Sequence, residues 1–325
     1  MHPISRRAAL AAAAALASPA LHAAESWPSR PIRMIVPFAP GGGADVVARL
    51  VADPIAAQLG QPIIIENRGG AGGGIGTAAV AQAPADGYTL LYGTPGPLVT
   101  NPILMPRLPY DAVQDFAPVS LLTQGAYVMA VHAGLPVRSV ADFVALAKAR
   151  PGQLTYSSAG IGAGSHLAGA LLCIEAGIDM LHVPFRGSGP AIQEVAGGRV
   201  SLAIDTYSIM VPLIEAGRLR PIASTTARRA PERPDLPTIA ETIPGFEVTV
   251  FNYLCVRSGT PQPIVERLNA AVVKALAQSA LMDRMLAAGT STPTASTPEA
   301  LGALLRSESA KWRDVIQRAG IKAEN

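Results

Sequence analysis

The stretch PIRMIVPFAPGGGADVVARLVADPIAAQLG (31–60) contains one complete strand–turn–helix unit. Residues 31–38 are a short apolar, β-branched run, which reads as a strand. Pro40-Gly41-Gly42-Gly43 breaks it. Val47, Leu50, Val51, Ile55 and Leu59 then recur at helical spacing, predicting a helix over 44–59. Gly60 follows where a left-handed C-cap belongs. Outward from this unit, 63–65 reads as a strand, 75–83 as a helix and 89–92 as a strand. Such a βαβαβ rhythm predicts parallel pairing through right-handed crossovers.

The rhythm restarts near Tyr127. Strands are expected at 127–131, 154–157, 180–183, 200–204 and 220–224. Helices are expected at 140–149, 165–176, 190–197 and, briefly, 213–216. A polar, proline-dense stretch (228–237) reads as surface loop, and 248–256 as a strand returning to the first sheet. Residues 263–278 and 298–319 read as amphipathic helices, the latter with Leu301, Leu304, Leu305, Trp312, Val315 and Ile316 on one side. The predicted fold class is α/β with two domains, each a mixed, mostly parallel sheet flanked by helices. Residues 25–126 plus 250–325 form the first domain and 127–249 the second.

A chain of 325 residues is long enough for two cores. Its first 24 residues read as an export signal. Arg6-Arg7 precedes ten apolar residues (8–17), and small residues suit cleavage after Ala23 or Ala24. Ten apolar residues are too few for a hydrocarbon core that needs about 20. The paired arginines followed by Ala8-Ala9-Leu10 resemble a twin-arginine signal. A periplasmic location is expected. Removing Arg6 and Arg7 takes the 26 basic residues to 24, against 23 acidic ones. That near-neutral balance argues against nucleic acid or an anionic membrane as partner. Cys173 and Cys255 sit in apolar surroundings and read as separate buried thiols.

Two glycine-rich turns carry the functional signal: Pro37-Phe38-Ala39-Pro40-Gly41-Gly42-Gly43-Ala44-Asp45 and Ser157-Ser158-Ala159-Gly160-Ile161-Gly162-Ala163-Gly164-Ser165-His166. Each follows a strand and opens a helix, at the sheet edge where open α/β folds bind ligands. The first turn of a helix has unpaired N–H groups and a partial positive charge. Glycines let a ligand approach that backbone closely. Such a turn holds an anion without Lys or Arg. One in each half suits a small molecule with one carboxylate, or two at opposite ends.

Competing motifs fail. Gly74-Ile75-Gly76-Thr77-Ala78-Ala79 fits a dinucleotide fingerprint, but no Asp or Glu occurs from Tyr88 to Tyr110, where the ribose ligand belongs. No P-loop occurs, and neither Ser165 nor Ser188 sits in G-x-S-x-G. His132, His166 and His182 form no metal signature, so neither a metal nor another cofactor is expected. His132 reads as a surface residue at a strand end and His182 as an interior hydrogen-bonding one. His166 reads as a helix cap or a ligand contact.

The motifs VPFAPGGGADVVAR (36–49), GQPIIIENRGGAGGGIGT (60–77), DGYTLLYGT (86–94), LPYDAVQDFAPVS (108–120), PGQLTYSSAGIGAGSHLAG (151–169), HVPFRGSGPAI (182–192) and DLPTIAE (235–241) occur in this order. Together they resemble the Bug-type periplasmic solute-binding receptors of tripartite tricarboxylate transporters. The resemblance implies a type II Venus-flytrap fold, a small carboxylate held between two lobes, and delivery to a membrane permease with a large and a small subunit. It implies ligand contacts at Phe38, Ala39, Gly42, Gly43, Ala44, Asp45 and Thr94. In the second lobe it implies Ser158, Ala159, Gly160, Gly164, Ser165, His166 and Asp205, the last expected just after a strand. Asp45 reads equally as a residue of the first helical turn. A monomer is expected. Ala44 stands where the family has threonine, and Thr94-Pro95-Gly96-Pro97-Leu98 is more apolar than the usual segment. Two alternatives stay open: a periplasmic hydrolase or isomerase using His166 with Ser165 or Asp205, and a ligand sensor docking on a membrane kinase.

Overall fold

The computed structural model describes residues 27–105, 107–230 and 233–322, so the expected export signal lies outside the described residues. In chain order the strands are β1 (Ile32–Val36), β2 (Ile63–Asn67), β3 (Thr89–Gly93), β4 (Phe116–His132), β5 (Thr155–Ser158), β6 (Leu181–Pro184), β7 (Leu202–Thr206), β8 (Leu219–Ser224), β9 (Thr249–Arg257) and β10 (Thr292–Pro293). The helices are α1 (Gly43–Leu59), α2 (Gly74–Ala81), α3 (Asn101–Leu104), α4 (Val140–Ala149), α5 (Gly164–Ala176), α6 (Ser188–Ala196), α7 (Tyr207–Glu215), α8 (Gln262–Leu276), α9 (Ser279–Ala287) and α10 (Pro298–Arg318). A π-helical turn, Gly96–Thr100, runs directly into α3.

β1 lies between β2 and β3 and is parallel to both, as the βαβαβ pattern predicts. β9 joins antiparallel to β3, then β4 antiparallel to β9. In the second half, β5 lies between β6 and β7, again parallel to both. β7 and β8 pair antiparallel with β4. Parallel strands thus occupy the outer ends of the sheet, and long antiparallel strands its middle.

β4 belongs to both halves. From Phe116 to Ala126 it pairs with β9, ending at Ala126 opposite Thr249. From Tyr127, opposite Thr206, it pairs with β7 and from Val128 with β8. Thr225 knots the crossover. Its hydroxyl accepts from the Tyr127 N–H at 2.9 Å and donates to the Val248 carbonyl at 2.6 Å. Its own amide donates to the Tyr127 carbonyl, and its carbonyl takes the Val248 N–H.

Side-chain alternation then builds cores on both faces of each half. Ile32, Met34, Val36, Leu90 and Tyr92 face α1, α8 and α9, while Ile35, Leu91, Tyr253 and Cys255 face α2 and Leu301. In the second half Tyr127, Met129, Val131, Leu202 and Ile204 pack under α4 and α5. Val128, Ala130 and Ala203 pack under α6 and α7. α10 spans both halves: Leu301 joins the first core, whereas Trp312, Val315 and Ile316 join the second. Cys173 and Cys255 are free thiols.

Several elements differ from the pattern in the sequence. β4 starts at Phe116, well before the expected Tyr127: pairing with β9 holds 116–126 as a strand, where Pro118 and the polar 123–125 hide it from the alternation pattern. α7 begins at Tyr207 and carries Pro212 in its interior, where the sequence predicts only 213–216. The turn Gly96–Thr100, α3 and α9 have no counterpart in the predicted elements.

Candidate ligand-binding site

The turn after β1 is braced by Asp45. Its carboxylate accepts from the Gly41 N–H at 2.9 Å, Arg49 Nε at 3.1 Å and Asn67 Nδ2 at 3.0 Å. Burial alone would raise its pKa, but these hydrogen bonds outweigh it and hold the carboxylate below its ordinary range. Asn67, on β2, also donates to the Phe38 carbonyl, fixing the turn to the neighbouring strand. Asp45 therefore shapes the turn. It leaves the amides of Gly43, Ala44 and Asp45 in the first turn of α1, where no intrahelical acceptor exists. Arg49 is engaged with Asp45, so positive potential at this helix end comes from main chain.

Other residues of the first set cluster there. Ala39 and Gly42 are exposed, and the Phe38 ring lies over Gly73. The Gly74–Gly76 motif serves packing. A Cβ at Gly76 would stand 2.7 Å from the Arg68 carbonyl oxygen and 2.8 Å from Pro37 Cα. Thr94 follows β3, with its carbonyl accepting from Tyr253 Oη at 2.9 Å.

The turn after β5 is closed by its own side chains. Ala159 N–H donates to Ser165 Oγ at 3.0 Å, Gly160 N–H to Ser158 Oγ at 3.1 Å, and Gly162 N–H to His166 Nδ1 at 3.1 Å. Positive φ at Gly160 and Gly162 permits this winding. The amides of Ala159 and Gly160 are thus spent within the turn. Those of Gly164, Ser165 and His166 open α5 without an intrahelical acceptor.

Both turns converge on one strand pair. A Cβ at Gly43 would lie 3.5 Å from Thr206 Oγ1 at the end of β7. A Cβ at Gly164 would fall inside the hydroxyl of Tyr127, the residue paired with Thr206 across the sheet. Beside them, Thr100 Oγ1 donates to the Gly162 carbonyl at 2.8 Å. Asp205 is the penultimate residue of β7, not a residue beyond the strand as the sequence predicts, and it is only 5% exposed. Burial raises its pKa; hydrogen bonds from Ser188, from the Thr206 amide and hydroxyl, and from Ser165 draw it partly back. Spacing could not reveal Thr206, Tyr127, Thr100 or Asn67, because tertiary pairing alone brings them to the turns.

His132 ends β4 and accepts from the Gly134 N–H. His182 hydrogen-bonds with Ser158 Oγ at 2.6 Å, as its interior context predicts. Among the described residues no group of three or more His, Cys, Asp or Glu could hold a metal ion, and no helix is long and apolar enough to cross a membrane.

Two mixed α/β halves joined by shared strands, each offering an amide-rich helix end, define a two-domain binding protein of the periplasmic type. The chain belongs to the tripartite tricarboxylate transporter receptor family, whose model matches residues 47–321. Rpa4515 from Rhodopseudomonas palustris, solved with adipate, is 38% identical with a TM-score of 0.86, covering 91% of this chain and 99% of its own. The periplasmic binding protein BugD is 33% identical with a TM-score of 0.81, covering 92% of this chain and 100% of its own. MatC from Rhodopseudomonas palustris, solved with bound malate, is 36% identical with a TM-score of 0.81, covering 89% of this chain and 100% of its own. The chain is a solute-binding receptor and not an enzyme. This corrects the hydrolase or isomerase alternative. In this chain His166 Nδ1 and Ser165 Oγ each take an amide of the second turn.

Proposed function

We propose that this receptor captures a small organic mono- or dicarboxylate between two lobes in the periplasm, after cleavage at Ala23 or Ala24, and delivers it as a monomer to a tripartite membrane permease. The two lobes of this reading are 25–126 with 250–325, and 127–249; β4 changes partner from β9 to β7 between Ala126 and Tyr127, which supports a division there. One observation carries the reading: the helix ends opened by Gly43 and Gly164 converge, one from each half, on the Tyr127–Thr206 pair. First-turn amides of α1 hold one carboxylate, and those of α5 hold a second group or a bridging water. Phe38, Thr94 and Asp205 complete the site. The related proteins solved with adipate and malate support this ligand class. Ala44 removes a hydroxyl, and buried Pro95, Pro97 and Leu98 follow Thr94, so the favoured ligand has an apolar alkyl or aromatic body.

Calorimetry with a panel of alkyl and aromatic mono- and dicarboxylates tests this. At least one member gives saturable heat with the wild-type protein. Gly43→Val, whose first added carbon meets only ordinary contacts, retains the fold and weakens binding at least tenfold, about 1.4 kcal/mol. Absence of saturable heat across the panel, or wild-type affinity in the variant, overturns the assignment.

A further inference from the structure

The second turn is gripped from behind by two imidazoles. His166 on α5 and His182 on β6 stack with ring centroids 3.8 Å apart and planes 8° from parallel. Tyr156 on β5 extends the stack, 4.9 Å from His182. Gly162 N–H donates to His166 Nδ1, so that nitrogen carries no proton and the ring's one proton sits on Nε2. His182 Nε2 meets Ser158 Oγ, which also takes the Gly160 N–H. Both rings line a cavity of about 390 Å³ together with Cys173, Asp179 and Met180.

We propose that His166 and His182 are positioning residues of the carboxylate site: stacked and neutral they hold 158–166 in its binding shape, and acid releases the ligand by protonating them. The inference rests on the carboxylate-binding reading above. A second proton on His166 would set an N–H against the Gly162 N–H, and two imidazolium rings 3.8 Å apart would repel each other. Burial, aided by the neighbouring His182, already pulls His166 down to about 3, and burial pulls His182 down to about 4.

Tyr156 faces the pair from β5 and Cys173 from α5. Burial pushes the Tyr156 hydroxyl up and the thiol up to about 11, so both are neutral at physiological pH. Asp179 faces the cavity from the segment before β6, and is exposed. Beyond α10, Ala319 and Ile321 are the lining residues among the described residues. With the turn released, both histidines return to ordinary values near 6.5. The held state is therefore fully favoured above that pH. It loses up to tenfold per histidine for each pH unit below it, until the depressed values are reached.

The test compares wild type, His166→Phe and His166→Asn for adipate affinity by calorimetry from pH 8 to 4.5. The Phe variant keeps a stacking ring but has no acceptor, and loses at least tenfold in affinity at pH 7. The Asn variant offers an oxygen to Gly162 and recovers part of that loss. Its affinity falls less steeply than wild type's below pH 6.5, adipate's own titration being common to both. Ligand-free amide exchange over 158–166, corrected for intrinsic rates, makes the same comparison: acid deprotects this segment more in wild type than in the Asn variant. Equal pH slopes in wild type and the Asn variant, or wild-type affinity and protection in the Phe variant, overturns the proposal. Absence of saturable heat across the whole carboxylate panel at pH 7 would count against the carboxylate reading, and the exchange comparison would then decide the histidine inference alone.

Discussion

Gly164 and Tyr127 depend on each other. The first carbon of any side chain at position 164 would fall inside the Tyr127 hydroxyl, and Tyr127 is buried in the second core. Gly164→Ala is therefore an overpacking substitution, destabilising the protein by about 1–3 kcal/mol. Adding Tyr127→Phe removes the offending oxygen and recovers part of the loss. A thermal-denaturation double-mutant cycle reads this coupling; additive effects would contradict it. Gly43 differs, since its added carbon would meet Thr206 at an ordinary 3.5 Å, which makes it the cleaner probe of ligand contact. Both glycines were legible in the sequence as members of turns. Their separate partners were not, because Gly43–Thr206 and Gly164–Tyr127 are made across the sheet. The link from Ser158 to His182 was hidden in the same way, and Asp45 showed its place in a helix but not the three donors it gathers.

At the scale of elements, β4 and its neighbours join the two halves. Thr225 gives this crossover two side-chain hydrogen bonds, to the Tyr127 amide and the Val248 carbonyl, in a fully buried position. Thr225→Val keeps the shape and leaves both backbone groups without their partner. Stability falls by about 1–3 kcal/mol, measured by denaturant midpoint; an unchanged midpoint would show that the knot contributes nothing. The parallel βα units were readable because apolar period and glycine breaks agree in them: 140–149 was predicted to the residue. The antiparallel middle was harder to read. Over 116–126 a proline and a polar stretch break the alternation, and only pairing with β9 reveals a strand. α7 reads short in the sequence for a similar reason: Pro212 looks like a stop, yet the helix runs through it.

Across the whole molecule, α10 fastens the halves to each other. Its Leu301 end packs on the first core and its Trp312 end on the second, where Trp312 Nε1 also donates to the buried Glu308 at 2.9 Å. Trp312→Ala leaves a cavity in the second core and costs about 3–5 kcal/mol. It weakens the second half selectively, so calorimetric unfolding broadens or splits from the single transition expected of wild type. A uniform shift of one sharp transition would show that the halves melt together without this helix.

The continuity of β4 also limits how such a protein can be dissected. A cut between Ala126 and Tyr127 would sever a strand that runs unbroken through both halves, and the second half would lose the cover that Trp312, Val315 and Ile316 of α10 give its core. The lobes are therefore unsuited to life as interchangeable cassettes.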